Sequence, residues 1–173
     1  FGIYYEETGC CKLNNKQYVV GIADMKMCRA PGVLVTYALG SCIGICLYDN
    51  VIKLAAMVHI MLPVAQGADM NNVYKFADTG VREAVRKMTA FGAVKSRMTC
   101  KIAGGAKMFE TFNNAEWGNI GERNIKSVKE ALRREGIRLL KEDCGANYAR
   151  TLYFDAATGI ATVKAFGHPE SKM

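Results

Sequence analysis

The sequence predicts a mixed α/β fold in which a system of mixed β-sheets carries two packed helices. Three observations predict it. Apolar runs broken by turn residues recur toward both ends of the 173-residue chain, so hairpins are expected at both ends. Two internal stretches repeat apolar residues at helical spacing and stop at glycine. Strands and helices do not alternate one for one, which argues against a doubly wound parallel sheet.

Taken in order, Lys16 to Ala23 reads as a strand led by Tyr18, Val19 and Val20, and Met25 to Pro31 reads as irregular. Val33 to Tyr37 is a short strand that ends beside a glycine-flanked bend, Gly40-Ser41-Cys42. Ile43 to Tyr48 and Leu54 to Met61 are strands around a turn at Asp49-Asn50. Pro63 to Asn72 is a loop with Gly67 and Asp69. Val73 to Phe91 is a helix with Val73, Ala77, Val81, Ala84, Val85 and Met88 on one face and Gly92 as its stop. Met98 to Ala103 is a strand, and Ile120 to Glu135 is a helix buried through Ile125, Val128 and Leu132. Ile137 to Glu142, Arg150 to Phe154 and Ile160 to Ala165 complete about eight strands.

The length suits one domain over 1–173, with a core at about 17–166 and mobile ends. The chain opens on Phe1 rather than Met, so its native start is expected upstream, and no signal peptide is visible. Half the residues are apolar and the mean hydropathy is +0.01, an ordinary globular balance. No apolar run approaches the roughly 18 residues of a membrane span. Seven cysteines, an odd and scattered set, do not make a disulfide framework and fit reduced thiols in a cytoplasm. The net charge is +7, but the basic residues between Arg123 and Lys141 are interleaved with Glu122, Glu130 and Glu135. No aromatic side chain stands among them, so a solvated helix face is expected and nucleic-acid binding has little support.

The central hairpin carries the chemistry. A loop centred between Asn50 and Val51 places Cys42 opposite His59, with Cβ atoms roughly 5 Å apart. The alternation gives one wholly apolar face of Ile43, Ile45, Leu47, Leu54, Ala56, Val58 and Ile60. The other face carries Cys42, Gly44, Cys46, Tyr48, Lys53, Ala55, Met57 and His59 and is more mixed. A buried cysteine is ordinarily a small hydrophobe, and a strand histidine is ordinarily a core residue. Their pairing at a Gly-Ser bend favours a thiol with its own base. Ser41 is the alternative nucleophile, but on a strand it points away from His59. Cys46 lies about 13 Å along the strand, too far to share a metal with Cys42 or to resolve it in a redox cycle. Gly104-Gly105 lacks phosphate-loop spacing, so a close backbone approach lining the site is expected instead.

The residues also carry a family pattern. Leu39-Gly40-Ser41-Cys42, Met57 to Pro63, Tyr74 to Thr79, Ile102 to Phe109 and Ile120 to Asn124 occur in the order and spacing of the chemoreceptor glutamine deamidases. The chain resembles this family, CheD, from about Val19 to Val163. The resemblance implies a layered α/β sandwich of the cysteine-hydrolase-like deamidase type. It implies a thioester mechanism in which Cys42 is the nucleophile, His59 its base, and Thr36 the support of the histidine. Backbone N–H groups at Gly40 and Ser41 are the expected oxyanion donors. The implied substrates are glutamines in chemoreceptor cytoplasmic domains, with receptor glutamate methyl esters as a second possibility. The implied second partner is a CheC-type chemotaxis phosphatase, and a regulatory binding module for that phosphatase is the competing function. No cofactor, metal or membrane insertion is implied. Two departures stand out: Ala146 replaces the second of two glycines, and Phe112 to Gly118, with Trp117, is longer than usual.

Overall fold

The computed structural model describes residues 15–66, 71–109 and 119–173. The segment from Phe112 to Gly118, the Cys10-Cys11 pair and the expected mobile amino end lie outside the described residues. Ten strands form two five-stranded sheets among the described residues. The strands are β1 (Lys16–Val19), β2 (Asp24–Arg29), β3 (Gly32–Leu39), β4 (Ile43–Asp49), β5 (Leu54–Ile60), β6 (Met98–Gly104), β7 (Arg138–Cys144), β8 (Arg150–Asp155), β9 (Ala161–Lys164) and β10 (Ser171–Lys172). The helices are α1 (Ala77–Ala90) and α2 (Ile120–Arg134). No helix among the described residues is long and apolar enough to cross a membrane.

The first sheet has the order β1-β3-β8-β9-β10 and the second β2-β5-β4-β6-β7. Each contains one parallel pair, β1 with β3 and β6 with β7, so both sheets are mixed. β4 and β5 are buried along their whole length because both faces of the second sheet are covered. On one face Ile43, Ile45, Leu47, Ala56, Val58 and Ile60 meet Val81, Ala84 and Met88 of α1 and Val128 and Leu132 of α2. On the other, Cys46, Tyr48, Ala55 and Met57 meet Leu34, Leu152, Phe154 and Val163 of the first sheet. The result is three layers, helices on sheet on sheet, with the hairpin in the middle.

Both faces of the hairpin agree with the period-two reading, but its register does not. Gly44, not Cys42, pairs with His59, and Asp49 pairs with Leu54. The turn therefore centres between Val51 and Ile52. Asp49 belongs to the strand because its fully buried carboxylate accepts the Val51 and Val94 N–H groups and the Arg97 guanidinium. A shift of two residues returns every side chain to its own face, which is why the alternation concealed it.

Three other elements differ from expectation. Met25 to Pro31 is not irregular: β2 pairs along β5 from Asp24↔His59 to Arg29↔Leu54. The first helix begins at Ala77, since Val73–Lys75 is a 3-10 turn capped by Asn72 and Phe76 is extended. The chain past residue 166 continues into β10, and Met173 exchanges backbone hydrogen bonds with Ala161.

Candidate active site

Thr36 and His59 meet between the two sheets, and Cys42 stands in the bend diagonal to the histidine; the three come from different segments. Thr36 is the last regular residue of β3 before a bulge, where Tyr37 and Ala38 stand exposed and Ala38 takes a φ of 56°. The bulge breaks the ladder and releases the chain into the Gly40-Ser41-Cys42 bend. His59 sits near the end of β5, fully buried. Cys42 is partly exposed and packs against the inter-sheet core, one residue before β4. It is diagonal to His59 across the strands, at the roughly 7–8 Å spacing that long side chains span.

Gly44 makes the meeting possible. It stands across from His59, and a Cβ on it would lie 2.7 Å from Leu152 Cδ2, 3.1 Å from Leu39 Cδ1 and 3.5 Å from Thr36 Cγ2. The first sheet thus settles into the space a side chain would fill, and Thr36 reaches the histidine from it. Thr36 Oγ1 lies 2.7 Å from His59 Nδ1. The same hydroxyl donates to the Val20 carbonyl at 2.7 Å. A hydroxyl has one proton, and it is spent on Val20, so the imidazole must donate Nδ1–H to Thr36. Nε2 then carries the lone pair, and it has no hydrogen-bond partner among the described residues.

Electrostatics keep this pair uncharged at rest. Burial pushes the His59 pKa down to about 4. Burial also raises the Cys42 thiol, partly offset by its own backbone N–H. Burial drives the other described cysteines up as well, Cys28 to about 11, Cys144 to about 12, and Cys46 and Cys100 higher still. They are core thiols without a base.

The bend is held by its carbonyls. Ala106 N–H donates to Gly40 O at 2.8 Å, and Gly105 N–H to Cys42 O at 2.9 Å. Ser41 O accepts from the side chain of Asn124 at 2.9 Å. Trans peptide geometry turns the Ser41 and Cys42 N–H groups the opposite way from these anchored carbonyls. Gly40 is different and corrects the expectation for an oxyanion donor: its N–H is taken by the Ala38 carbonyl at 3.0 Å. Gly104 makes the close approach expected of the Gly-Gly pair. Its φ is +117°, and a Cβ on it would lie 2.1 Å from Cys42 O.

Gly44 and Asn124 were not among the residues expected at the site. The signal for Asn124 was its place on the buried stripe of α2 with Gly121 and Val128. His168 stacks on Tyr148 with ring centroids 3.8 Å apart. A groove of about 560 Å³ between Leu62, Pro63, Phe76 and the α2 residues Ile120, Arg123 and Lys126 runs beside the site, and none of Thr36, Cys42 and His59 lines it. Among the described residues no three His, Cys, Asp or Glu side chains gather as metal ligands.

A family model described as CheD chemotactic sensory transduction matches residues 61–165. A Syntrophomonas wolfei protein named probable chemoreceptor glutamine deamidase CheD is 53% identical over 152 residues, covering 87% of this chain and 94% of its own. Proteins of the same name from Caldanaerobacter subterraneus and Desulforamulus reducens are 45% and 46% identical, each over 90% of this chain and 97% and 94% of their own. A solved structure of a Neisseria meningitidis protein, assigned to family DUF152, shares the fold at a TM-score of 0.50 and 9% identity, over 76% of this chain and 64% of that one. With its layered fold, and with relatives this similar over nearly their whole length, the chain belongs to the CheD family.

Proposed function

We propose that this protein is a protein-glutamine glutaminase that converts glutamine side chains of chemoreceptors to glutamate. The relatives it matches are named for that activity. The observation that carries the reading is the chain Val20 O, Thr36 Oγ1, His59 Nδ1, which leaves the lone pair of Nε2 without a partner among the described residues and available as a base.

The proposed reaction begins from a neutral thiol and a neutral imidazole. Cys42 Sγ attacks the carboxamide carbon while His59 Nε2 takes the thiol proton. The imidazolium is steadied by its Nδ1–H bond to Thr36, more weakly than a carboxylate would do it. The oxyanion is received by the Ser41 and Cys42 N–H groups; one such donor typically contributes about 2.7–4 kcal/mol in the transition state. His59 returns its proton to the nitrogen, the C–N bond breaks, and ammonia leaves a thioester on Cys42. Water, deprotonated by His59, attacks the thioester, and glutamate and the free thiol result. A glutamate methyl ester fits the same sequence with methanol as leaving group.

The substrate segment belongs to the receptors' cytoplasmic domains and the protein to the cytoplasm. A CheC-type phosphatase is the proposed second partner. Peptide mapping of a receptor cytoplasmic fragment after incubation tests the reading. Site-specific Gln-to-Glu conversion that disappears in Cys42→Ala and in His59→Ala is expected. No conversion by folded, reduced protein would sink the enzyme reading and leave the regulatory binding module.

A further inference from the structure

We infer that Asn124 is a positioning residue for the Cys42–His59 pair, acting through the backbone of the two segments that carry them. The inference rests on the proposed reading for its catalytic meaning, while its geometry stands independently.

Asn124 lies in the second turn of α2 and is fully buried. Asparagine is a poor helix former, since its side chain competes for backbone hydrogen bonds, so a buried one inside a helix needs a compensating contact. Its Nδ2 is 2.9 Å from Ser41 O and 2.9 Å from Met61 O. Both partners are carbonyls and can only accept, which fixes this end of the side chain as the NH2 group. Ser41 precedes the nucleophile by one residue, and Met61 follows the base by two.

The place of this clamp matters. Ile43↔Ile60 is the outermost pair of the β4–β5 ladder. The next pair in that register would join Cys42 to Met61, but there the strands separate. Met61 N–H turns away to Lys75 O, and Cys42 O is taken by Gly105 N–H. The Asn124 amide bridges the two chains where their own ladder has ended, so it sets how far apart they stand at the catalytic pair.

The helix is seated firmly enough to do this. A Cβ on Gly121 would lie 2.6 Å from both the Gly105 and Ala106 carbonyls, so α2 lies directly against the loop that anchors the bend. Ser127, one turn on, donates to Pro63 O at 2.6 Å. That bond docks the same helix on the same strand exit without touching the nucleophile bend, which makes Ser127 the natural control. Asn124 Oδ1 has no partner among the described residues. The residue thus tolerates an orphan acceptor to keep a two-proton donor in place.

Asn124→Asp is the sharpest variant, because it keeps the shape and sets an acceptor against two carbonyls. Asn124→Ser retains one proton to donate, and Ser127→Ala and Val128→Ala are helix controls. Two readouts are taken: kcat and KM on a receptor fragment, and the pH profile of iodoacetamide alkylation at Cys42. A displacement of about 1 Å at reacting groups can cost on the order of a hundredfold. We expect kcat in Asn124→Asp to fall by about that factor with KM little changed. Its alkylation profile is expected to move toward that of His59→Ala, with Asn124→Ser between it and the wild type. If Asn124→Asp does not fold, Asn124→Ser carries the test with the same directions. The inference is overturned if Val128→Ala, at equal loss of Tm, reproduces both effects, or if the Asn124 variants leave the alkylation profile unchanged. Should the wild type fail to deamidate, the activity reading fails, and the alkylation arm alone decides the role of Asn124.

Discussion

Gly44 is the cross-strand partner of His59, and the side chain it lacks is replaced by Leu152, Leu39 and Thr36 from the opposing sheet and its bulge. The contact between the sheets and the orientation of the base are therefore one feature. Gly44→Ala must push Leu152 and Leu39 back. Overpacking of this kind costs about 1–3 kcal/mol. Thermal unfolding is expected to show that loss, and kcat to fall further than the lost stability accounts for. Adding Leu152→Val should restore more stability than activity, because Leu39, which leads into the bend, stays displaced.

Thr36→Val removes the hydroxyl that serves both Val20 O and His59 Nδ1. Two buried polar groups lose their partner, and each such loss costs about 1–3 kcal/mol. The imidazole also loses what fixes its tautomer. The expected fall in kcat is smaller than the roughly 10² to 10⁴ that a general base supplies, since Nε2 remains. Thr36→Ser keeps both bonds and should stay near wild type. Steady-state kinetics beside denaturant unfolding separate the two effects.

The pH dependence has a definite sign. His59 has an ordinary pKa of 6.5 and one of about 4 in the folded protein. Between those values the unfolded chain binds a proton that the folded one does not. Stability is therefore fully present above about pH 6.5 and declines as pH falls toward 4, by up to about 3 kcal/mol. His59→Gln should flatten this part of the stability curve. The acid limb of kcat/KM for the free enzyme should lie near 4 rather than 6.5, because the base stays neutral that far down.

Gly104→Ala brings a Cβ to 2.1 Å from the Cys42 carbonyl, at a φ of +117°. The obstacle is backbone, so no side chain can yield. A loss on the order of 3 kcal/mol or more is expected, with activity abolished. Gly136→Ala is the comparison: its φ is +70°, but a Cβ there meets nothing within 4 Å. It should cost only left-handed strain, about 1–2 kcal/mol, and leave kcat intact. The difference between the two variants measures the contact at the nucleophile bend.

Local pattern made much of the fold legible. Period-two alternation sorted β4 and β5 onto their two faces, and helical spacing with glycine stops found α1 and α2. What local pattern missed depends on distant partners. Asp49 looks like a turn residue, but Val94 and Arg97, nearly fifty residues on, make it a strand residue and shift the register. β2 runs Asp-Met-Lys-Met-Cys-Arg without a β-branched residue, and it is a strand because β5 offers its edge. β10 is two polar residues held by β9. At the site, the hairpin and its glycine-flanked bend singled out Cys42 and His59, and the family pattern added Thr36. The role of Gly44 follows from the packing of two sheets, and that of Asn124 from the docking of a helix onto a strand end. Residue spacing puts Asn124 on the stripe of Gly121 and Val128, but it shows neither contact.

The order in which the chain emerges adds a consequence. Thr36, Cys42 and His59 all lie in the first 60 residues, yet β3 is held in its sheet by β8 (Arg150–Asp155), and the bend is anchored by Gly105, Ala106 and Asn124. During synthesis the nucleophile and its base exist long before anything aligns them. Only when β8 has left the ribosome do the sheets close around the bend. The emergence of that strand is thus a safety catch: a product stalled before it carries the sulfur without the packing that orients it.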